Sequence, residues 1–429
     1  MFRKLAGLFS QYRGLRREIY VLFIGRIVTG MGSMVWPMLT MILSGKLGMS
    51  AQDIAELMIA AGLVLLPANL VGGKLADRYN KKNVIVICDF ISVSCYIAAG
   101  FVPLGPATIV LILIAAILQS MEHPSYSALF ADMSSTRDRQ RAFSLSYLGV
   151  NLGLVLSPTI AGLLFKDHLD LIFIISGAAI GVSTLLILLF VHDISKEPDD
   201  GEEAVYQQEQ KAGIFTVLKE NRILLLYILI VSVYGAAYGQ YGYIMPLDMG
   251  RVHGDSGALI FGTISSLNCI VVVLFTPLFT KLFRRVSELK KLLAGQALVG
   301  AGYLLFLLLL GHIPAYYMAM LLFTWGEILA TLADGPYLTK RIPASHRGRV
   351  TGVISVVSAV CAGAIELSVG RLYDNVGSSA AWMLIISLLA ASALLTVVLL
   401  LLDKKRYPKL YEHGSFETEP PPERSDCDD

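Results

Sequence analysis

Apolar residues fall along this chain in twelve long runs separated by short polar breaks. The runs cover residues 19–44, 52–72, 83–102, 106–133, 141–165, 170–191, 222–247, 256–280, 290–311, 314–340, 348–372 and 380–402. A helix needs about 20 predominantly apolar residues to cross the hydrocarbon of a bilayer, so each run is a candidate span. Several hold proline inside (Pro37, Pro67, Pro124, Pro158, Pro246, Pro277 and Pro336), which membrane helices tolerate because neighbouring helices satisfy the freed carbonyls. The pattern predicts an all-α membrane protein with twelve transmembrane helices. A polar, acidic stretch at 192–221 divides them into two sets of six, 18–191 and 222–402, and reads as a solvated linker. Residues 1–17 are basic and weakly amphipathic. They form either a helix lying on the membrane or a simple cytoplasmic tail. Residues 403–429 become Pro-rich and acidic and are expected to be a disordered cytoplasmic tail.

Charge gives the spans a direction, because cytoplasmic loops collect lysine and arginine. Thirty of the 35 lysines and arginines lie at the two ends, in the central linker, or in the loops after the second, fourth, eighth and tenth runs. The opposite loops hold Lys46, Lys166, Arg251 and Arg371. Both termini are therefore predicted to be cytoplasmic. Charged residues make up 16% of the chain, against about 25% in globular proteins, which places it in the membrane class. A net charge of +2, with no basic run interleaved with aromatics, argues against nucleic acid as a partner. The five cysteines form no CxxC pair, so neither a disulfide framework nor a metal site is expected. Without GxSxG, HExxH or a phosphate-binding loop, the chain reads as a non-enzyme that ATP does not drive directly and that needs no cofactor.

The break between the second and third runs, GKLADRYNKK at Gly73–Lys82, is too dense in charge for hydrocarbon and is predicted to be a tight loop at a membrane face. Asn80 in it tolerates a left-handed backbone better than most residues. The second half echoes the first. TKLFRR at Thr280–Arg285 takes the place of GKLADR, and SHRGRVTG at Ser345–Gly352 takes that of RDRQRAF at Arg137–Phe143. The loop resembles the G-x-L-A-D-R-x-G-R-K signature of the major facilitator superfamily, with Asn80 at the second glycine. In the fifth run, Gly153, Ser157, Pro158 and Gly162 resemble the family's GxxxGPxxGG, a motif associated with proton-driven exporters. Small residues there also permit close helix contact on their own account. From Glu18 to Leu402 the chain is similar to the twelve-helix drug/proton antiporters of that superfamily. The resemblance implies two pseudo-symmetric six-helix bundles around a cavity lined by the first, fourth, seventh and tenth helices. It also implies a latch built from Gly73, Asp77, Arg78, Lys81 and Asp132. In that latch Asp77 meets the start of the eleventh helix and Arg78 pairs with Asp132.

Acids inside the runs are the candidate chemistry. Glu122 and Glu327 fall near the middle of the fourth and tenth runs, Glu366 in the outer half of the eleventh, and Asp89 near the start of the third. Asp334 follows Glu327 by two helical turns on the same face. An ionised acid at mid-bilayer costs about 2.5–3.5 kcal/mol, so such residues usually face a cavity or a partner. By the resemblance, Glu327, Glu122, Asp334 and Glu366 are the proton-coupling candidates, with Glu327 first because TWGEIL is similar to the tenth helix of proton-coupled exporters. Arg26 could bind an anion, pair with an acid such as Asp89, or snorkel to the headgroups. Tyr227, Tyr234, Tyr238 and Tyr241 form one stripe of the seventh run. With Trp36, Trp325, Gln119 and Tyr126 they suggest an aromatic substrate cavity, since aromatic faces attract lipophilic cations.

These readings converge on a secondary transporter in a bacterial cytoplasmic membrane. It would be a monomer exchanging protons from the ion gradient for an amphiphilic, cationic small molecule. Two alternatives stay open: a carrier of one metabolite or organic anion using Arg26, and a lipid translocase or non-pumping receptor.

Overall fold

The computed structural model describes residue 12 and residues 14–134, 138–191, 222–341 and 344–411. Most of the N-terminal segment, the linker at 192–221 and the tail beyond 411 lie outside the described residues. Among the described residues all regular structure is helical. Twelve helical segments are long and apolar enough to cross a membrane. They are Arg17–Lys46, Ala51–Arg78, Lys81–Phe101, Pro106–Asp132, Arg141–Leu164, Leu169–Phe190, Arg222–His253, Ser256–Leu282, Glu288–Leu308, Ile313–Leu338, Val350–Asn375 and Ser378–Arg406.

Three spans are broken. The first stops at Gly32, resumes at Val35 and ends in a wider π turn at Ile42–Lys46. The fifth is interrupted after Leu154 and restarts at Ser157, with Pro158 in its first turn, where the missing N–H would have had no partner anyway. The seventh ends at Gly239, passes through a tight turn at Gln240–Gly242 and resumes at Ile244 ahead of Pro246.

The two halves meet unevenly. The largest buried core includes Met38, Met41, Ile54 and Phe165 from the first half with Tyr243, Leu247, Phe261 and Trp382 from the second. Near the face that carries the lysine- and arginine-rich loops, the core divides. One cluster around Leu22, Tyr126, Leu129 and Phe130 belongs to the first half, and one around Tyr227, Leu292, Ala333 and Tyr337 belongs to the second.

Polar contacts between halves gather at the opposite, far face. Lys46 pairs with Asp255 at 3.2 Å, Thr40 donates to the Gly242 carbonyl at 2.9 Å, and the Tyr243 hydroxyl donates to the Ala51 carbonyl. The Asp374 carboxylate, from the end of the eleventh span, accepts from the Ala51 and Gln52 N–H groups at 3.1 and 2.7 Å. Together with Ser50, which caps Asp53 at 3.1 Å, it satisfies N–H groups that the first turn of the second span would leave unpaired. The halves are therefore joined at the far face and carry separate cores towards the basic one.

Just inside the far face, the fifth and eighth spans cross closely. A Cβ on Gly162 would lie 2.6 Å from the Ala258 carbonyl oxygen, and one on Gly262 would strike the Pro158 carbonyl, so only glycine fits either position. Gly153 makes a similar contact inside the first half, against Gly30 of the first span.

Candidate functional site

The second half holds a cavity of about 490 Å³ lined by Tyr234, Tyr238, Leu292, Glu327, Thr331 and Asp334, with small residues between them. It runs along the tenth span from Glu327 at mid-depth towards the exposed Asp334 and Gly335 at the basic end. Two carboxylates and two phenols thus face one space, and among the described residues no lysine or arginine lines it. Glu327 accepts from the Asn268 side-chain amide of the eighth span at 2.8 Å, and the Tyr238 hydroxyl lies within hydrogen-bonding reach. Asn268 also donates to Thr324 Oγ1 at 2.9 Å, which sets its orientation. Asp334 accepts from the Tyr227 hydroxyl at 2.5 Å, and Tyr227 stacks on Tyr337 at 3.9 Å. Among the described residues the buried Tyr234 hydroxyl has no hydrogen-bond partner, an unmet polar atom in the cavity wall. From the first half, Tyr147 of the fifth span lies within electrostatic reach of Glu327.

A second polar cluster lies inside the first half. The Arg26 guanidinium carbon sits 3.7 Å from the centroid of the Tyr126 ring, a stacked cation–π contact. Asp89 and Glu122 are both within electrostatic reach of Arg26. Asp89 is held by the Thr184 hydroxyl at 2.6 Å, whereas Arg26 Nε is buried with no hydrogen-bond partner among the described residues. Arg26 therefore neither snorkels to the headgroups nor enters the second-half cavity. It is an internal countercharge to two acids.

The other expected cavity residues are dispersed. Trp36 and Gln119 line a small hollow of about 30 Å³ inside the first half, beside Tyr96. Tyr241 falls in the turn that breaks the seventh span, so its ring leaves the stripe of Tyr234 and Tyr238. It packs on Phe261 and Phe323 and donates to Ser265 at 2.5 Å. Trp325 points to the opposite side of the tenth helix, against Phe275 and Phe279. Glu366 lies near Tyr243 at the seam between the halves rather than in the cavity.

The charged loop differs from expectation in two respects. The second helix continues through Arg78, leaving only Tyr79 and Asn80 between spans. Asn80 has φ −63°, an ordinary backbone. Its side chain caps the third span by accepting from Lys82 N at 3.0 Å and Asn83 N at 3.4 Å, so an asparagine here serves as an N-cap and not as a glycine substitute. The predicted Arg78–Asp132 pair is also corrected. Asp132, the last residue of the fourth span, pairs at 2.6 Å with Lys81, the first residue of the third. Arg78 lies over the neighbouring Tyr79 ring. Asp77 and Arg78 are both exposed, and Gly73 faces open space. Gly153, Pro158 and Gly162 occupy the helix crossings described above, with Ser157 buried beside them.

Sequence reasoning passed over Asn268 and Asp374. Asn268 ends a polar run, Thr263, Ser265, Ser266 and Asn268, within an apolar 27-residue helix, which was the available signal. Asp374 sits at a span's end and was indistinguishable from a loop acid.

A family model described as Major Facilitator Superfamily matches residues 21–365. The chain belongs to the Major Facilitator Superfamily. It is thus a multi-pass membrane transporter, and its two six-helix bundles follow that family's fold. It is 22% identical over 350 residues to an uncharacterised transporter of the family, YqjV, from Bacillus subtilis, covering 80% of this chain and 84% of that one. It is 22% identical to a Na(+), Li(+), K(+)/H(+) antiporter of Planococcus maritimus, over 75% of this chain and 81% of the relative. Identity to multidrug resistance protein 1 of Bacillus subtilis is 23%, over 73% and 79%. Among solved structures, a peptide transporter of the POT family superposes with a TM-score of 0.73 at 16% identity, over 94% of this chain and 99% of the other. A nucleoside transporter, NupG, does so at 0.69 and 13%, over 89% and 99%.

Proposed function

We propose that this superfamily member is a proton-coupled antiporter that exports amphiphilic organic cations by alternating access from a bacterial cytoplasmic membrane. The observation that carries this reading is the second-half cavity, whose wall presents Glu327, Asp334, Tyr234 and Tyr238 and, among the described residues, no basic side chain. Such a wall attracts a lipophilic cation through both charge and ring faces and disfavours an anion. A cation and a proton would compete for Glu327, which is the minimum requirement for exchange. Arg26, the residue an anion carrier would use, lies against Tyr126 and two acids instead. A multidrug resistance protein and a cation/proton antiporter among the relatives support the same class.

With the basic face inside, the described arrangement is the one that takes up substrate from the cytoplasm. Exchanging one proton for one monovalent cation cancels the membrane potential and leaves only the pH gradient as driving force. Asp334 gives the same wall a second carboxylate, and exchange of two protons for one cation restores the voltage term. The test is flux of ethidium in vesicles containing purified protein. An imposed pH gradient accelerates flux in the wild type, and Glu327→Gln removes that acceleration. Flux that ignores the gradient, or acceleration that survives Glu327→Gln, refutes the reading.

A further inference from the structure

The eighth span carries a polar seam at residues 262–268 that no motif accounts for. Gly262 and Ser266, four residues apart, share the side that faces the fifth span. Gly262 lies against the Pro158 carbonyl. Ser266 exchanges a hydrogen bond with Thr159 at 2.7 Å, and Thr159 also reaches the Gly262 carbonyl at 3.4 Å. Ser265 and Asn268, three apart, turn the other way. Ser265 accepts from Tyr241 of the seventh span at 2.5 Å, and Asn268 donates to Glu327 of the tenth at 2.8 Å. Two turns of one helix thus connect the coupling acid to the first half of the molecule.

We propose that Asn268 is the positioning residue that ties the proton occupancy of Glu327 to sliding of the eighth span against the fifth. The inference rests on Glu327 being the coupling acid. A carboxylate accepts a strong, charge-assisted bond from the Asn268 amide, while the neutral acid is a weaker acceptor. Proton uptake therefore loosens the tie between the eighth and tenth spans. The eighth span is then free to move along the glycine crossing, where small residues let the backbones slide without interlocking side chains. Glu327 is faced by Tyr234, Tyr238 and Tyr241 of the seventh span and Tyr303 of the ninth. Tyr147 of the fifth span and Cys269 of the eighth also face it. Asp334 lies two turns along its own helix.

Spin labels at the exposed Lys74→Cys and Lys281→Cys positions, in a chain with its native cysteines replaced, report the separation of the halves at the basic face. Reconstituted wild type is expected to change the ratio of its two distance populations about fivefold between about pH 5.5 and about pH 8.5. Asn268→Leu, which keeps the bulk and removes the donor, should hold that change below about twofold. Thr159→Val removes a bond that the sliding must break, so it should keep the change at no less than the wild-type size, and its melting temperature beside that of Asn268→Leu guards against misfolding. A wild-type-like response in Asn268→Leu, a lost response in Thr159→Val, or no response in the wild type overturns the proposal. Ethidium flux in the same vesicles separates the two claims. A pH response that depends on Asn268, without gradient-driven flux, sinks the antiport reading and leaves the coupling standing.

Discussion

Asp374 is the contact whose removal has the most direct consequence for the conformational balance. Its carboxylate accepts from two N–H groups at the start of the second span, at 3.1 and 2.7 Å, and its charge faces the positive end of that helix. Charge-assisted bonds of this kind are worth about 1.5–3 kcal/mol when buried, and a helix end adds about 0.3–1 kcal/mol. Asp374 is exposed, so solvent screening reduces the total to about 1 kcal/mol. These contacts exist only while the far face is closed, so Asp374→Ala should raise the population open at that face about fivefold. Met41, which is 4% exposed and lines the far-face hollow, is a suitable reporter. In a cysteine-replaced chain, the reaction of Met41→Cys with a membrane-impermeant maleimide should speed up by about that factor when Asp374→Ala is added. An unchanged labelling rate, with the protein folded, would show that the far face is held by its apolar core alone.

Three further outcomes follow from contacts already described. Gly262→Leu places a side chain into the Pro158 carbonyl, at a cost of about 1–3 kcal/mol or more, and should lower the melting temperature in detergent while Ser266→Ala does so much less. Asp403, fully buried, accepts from Arg341 at 2.5 and 2.8 Å and from Tyr411 at 2.5 Å. Asp403→Asn should therefore cost about 3–5 kcal/mol by leaving the Arg341 charge under-compensated, read as a large drop in thermal stability. At the charged loop, Lys81→Ala should cost no more than about 1 kcal/mol, because its pair with Asp132 is partly exposed, and Arg78→Ala should leave stability unchanged. The reverse order would restore the Arg78–Asp132 pairing.

The spans were legible because lipid allows no other solution. A backbone crossing hydrocarbon must satisfy its own hydrogen bonds, so each crossing writes a long apolar run into the sequence. Breaks within spans were not legible. Ser33–Met34 and Gln240–Gly242 are only two and three residues long and hold no proline, and the Gly242 carbonyl finds its partner on another span, Thr40. Glu327 stood out because a lone acid in an apolar run is costly and therefore purposeful. Asn268, its partner, is uncharged and small enough to pass unnoticed, though it fixes the acid's geometry. The aromatic stripe was half right: Tyr234 and Tyr238 reach the cavity, but helical spacing fails as a guide beyond Gly239, where the helix stops. At the charged loop, residue types indicated a basic side chain for Asp132, yet choosing Lys81 over Arg78 required knowing where one helix ends and the next begins.

The central claim is that an organic cation and a proton compete for Glu327, and proton release on binding tests it most directly. Ethidium added to purified protein in weakly buffered detergent, at a pH where Glu327 is protonated, should release about one proton per site, tracked by a pH indicator dye. Glu327→Gln should still fold and release none. Binding without release in the wild type, or undiminished release from Glu327→Gln, would contradict the account.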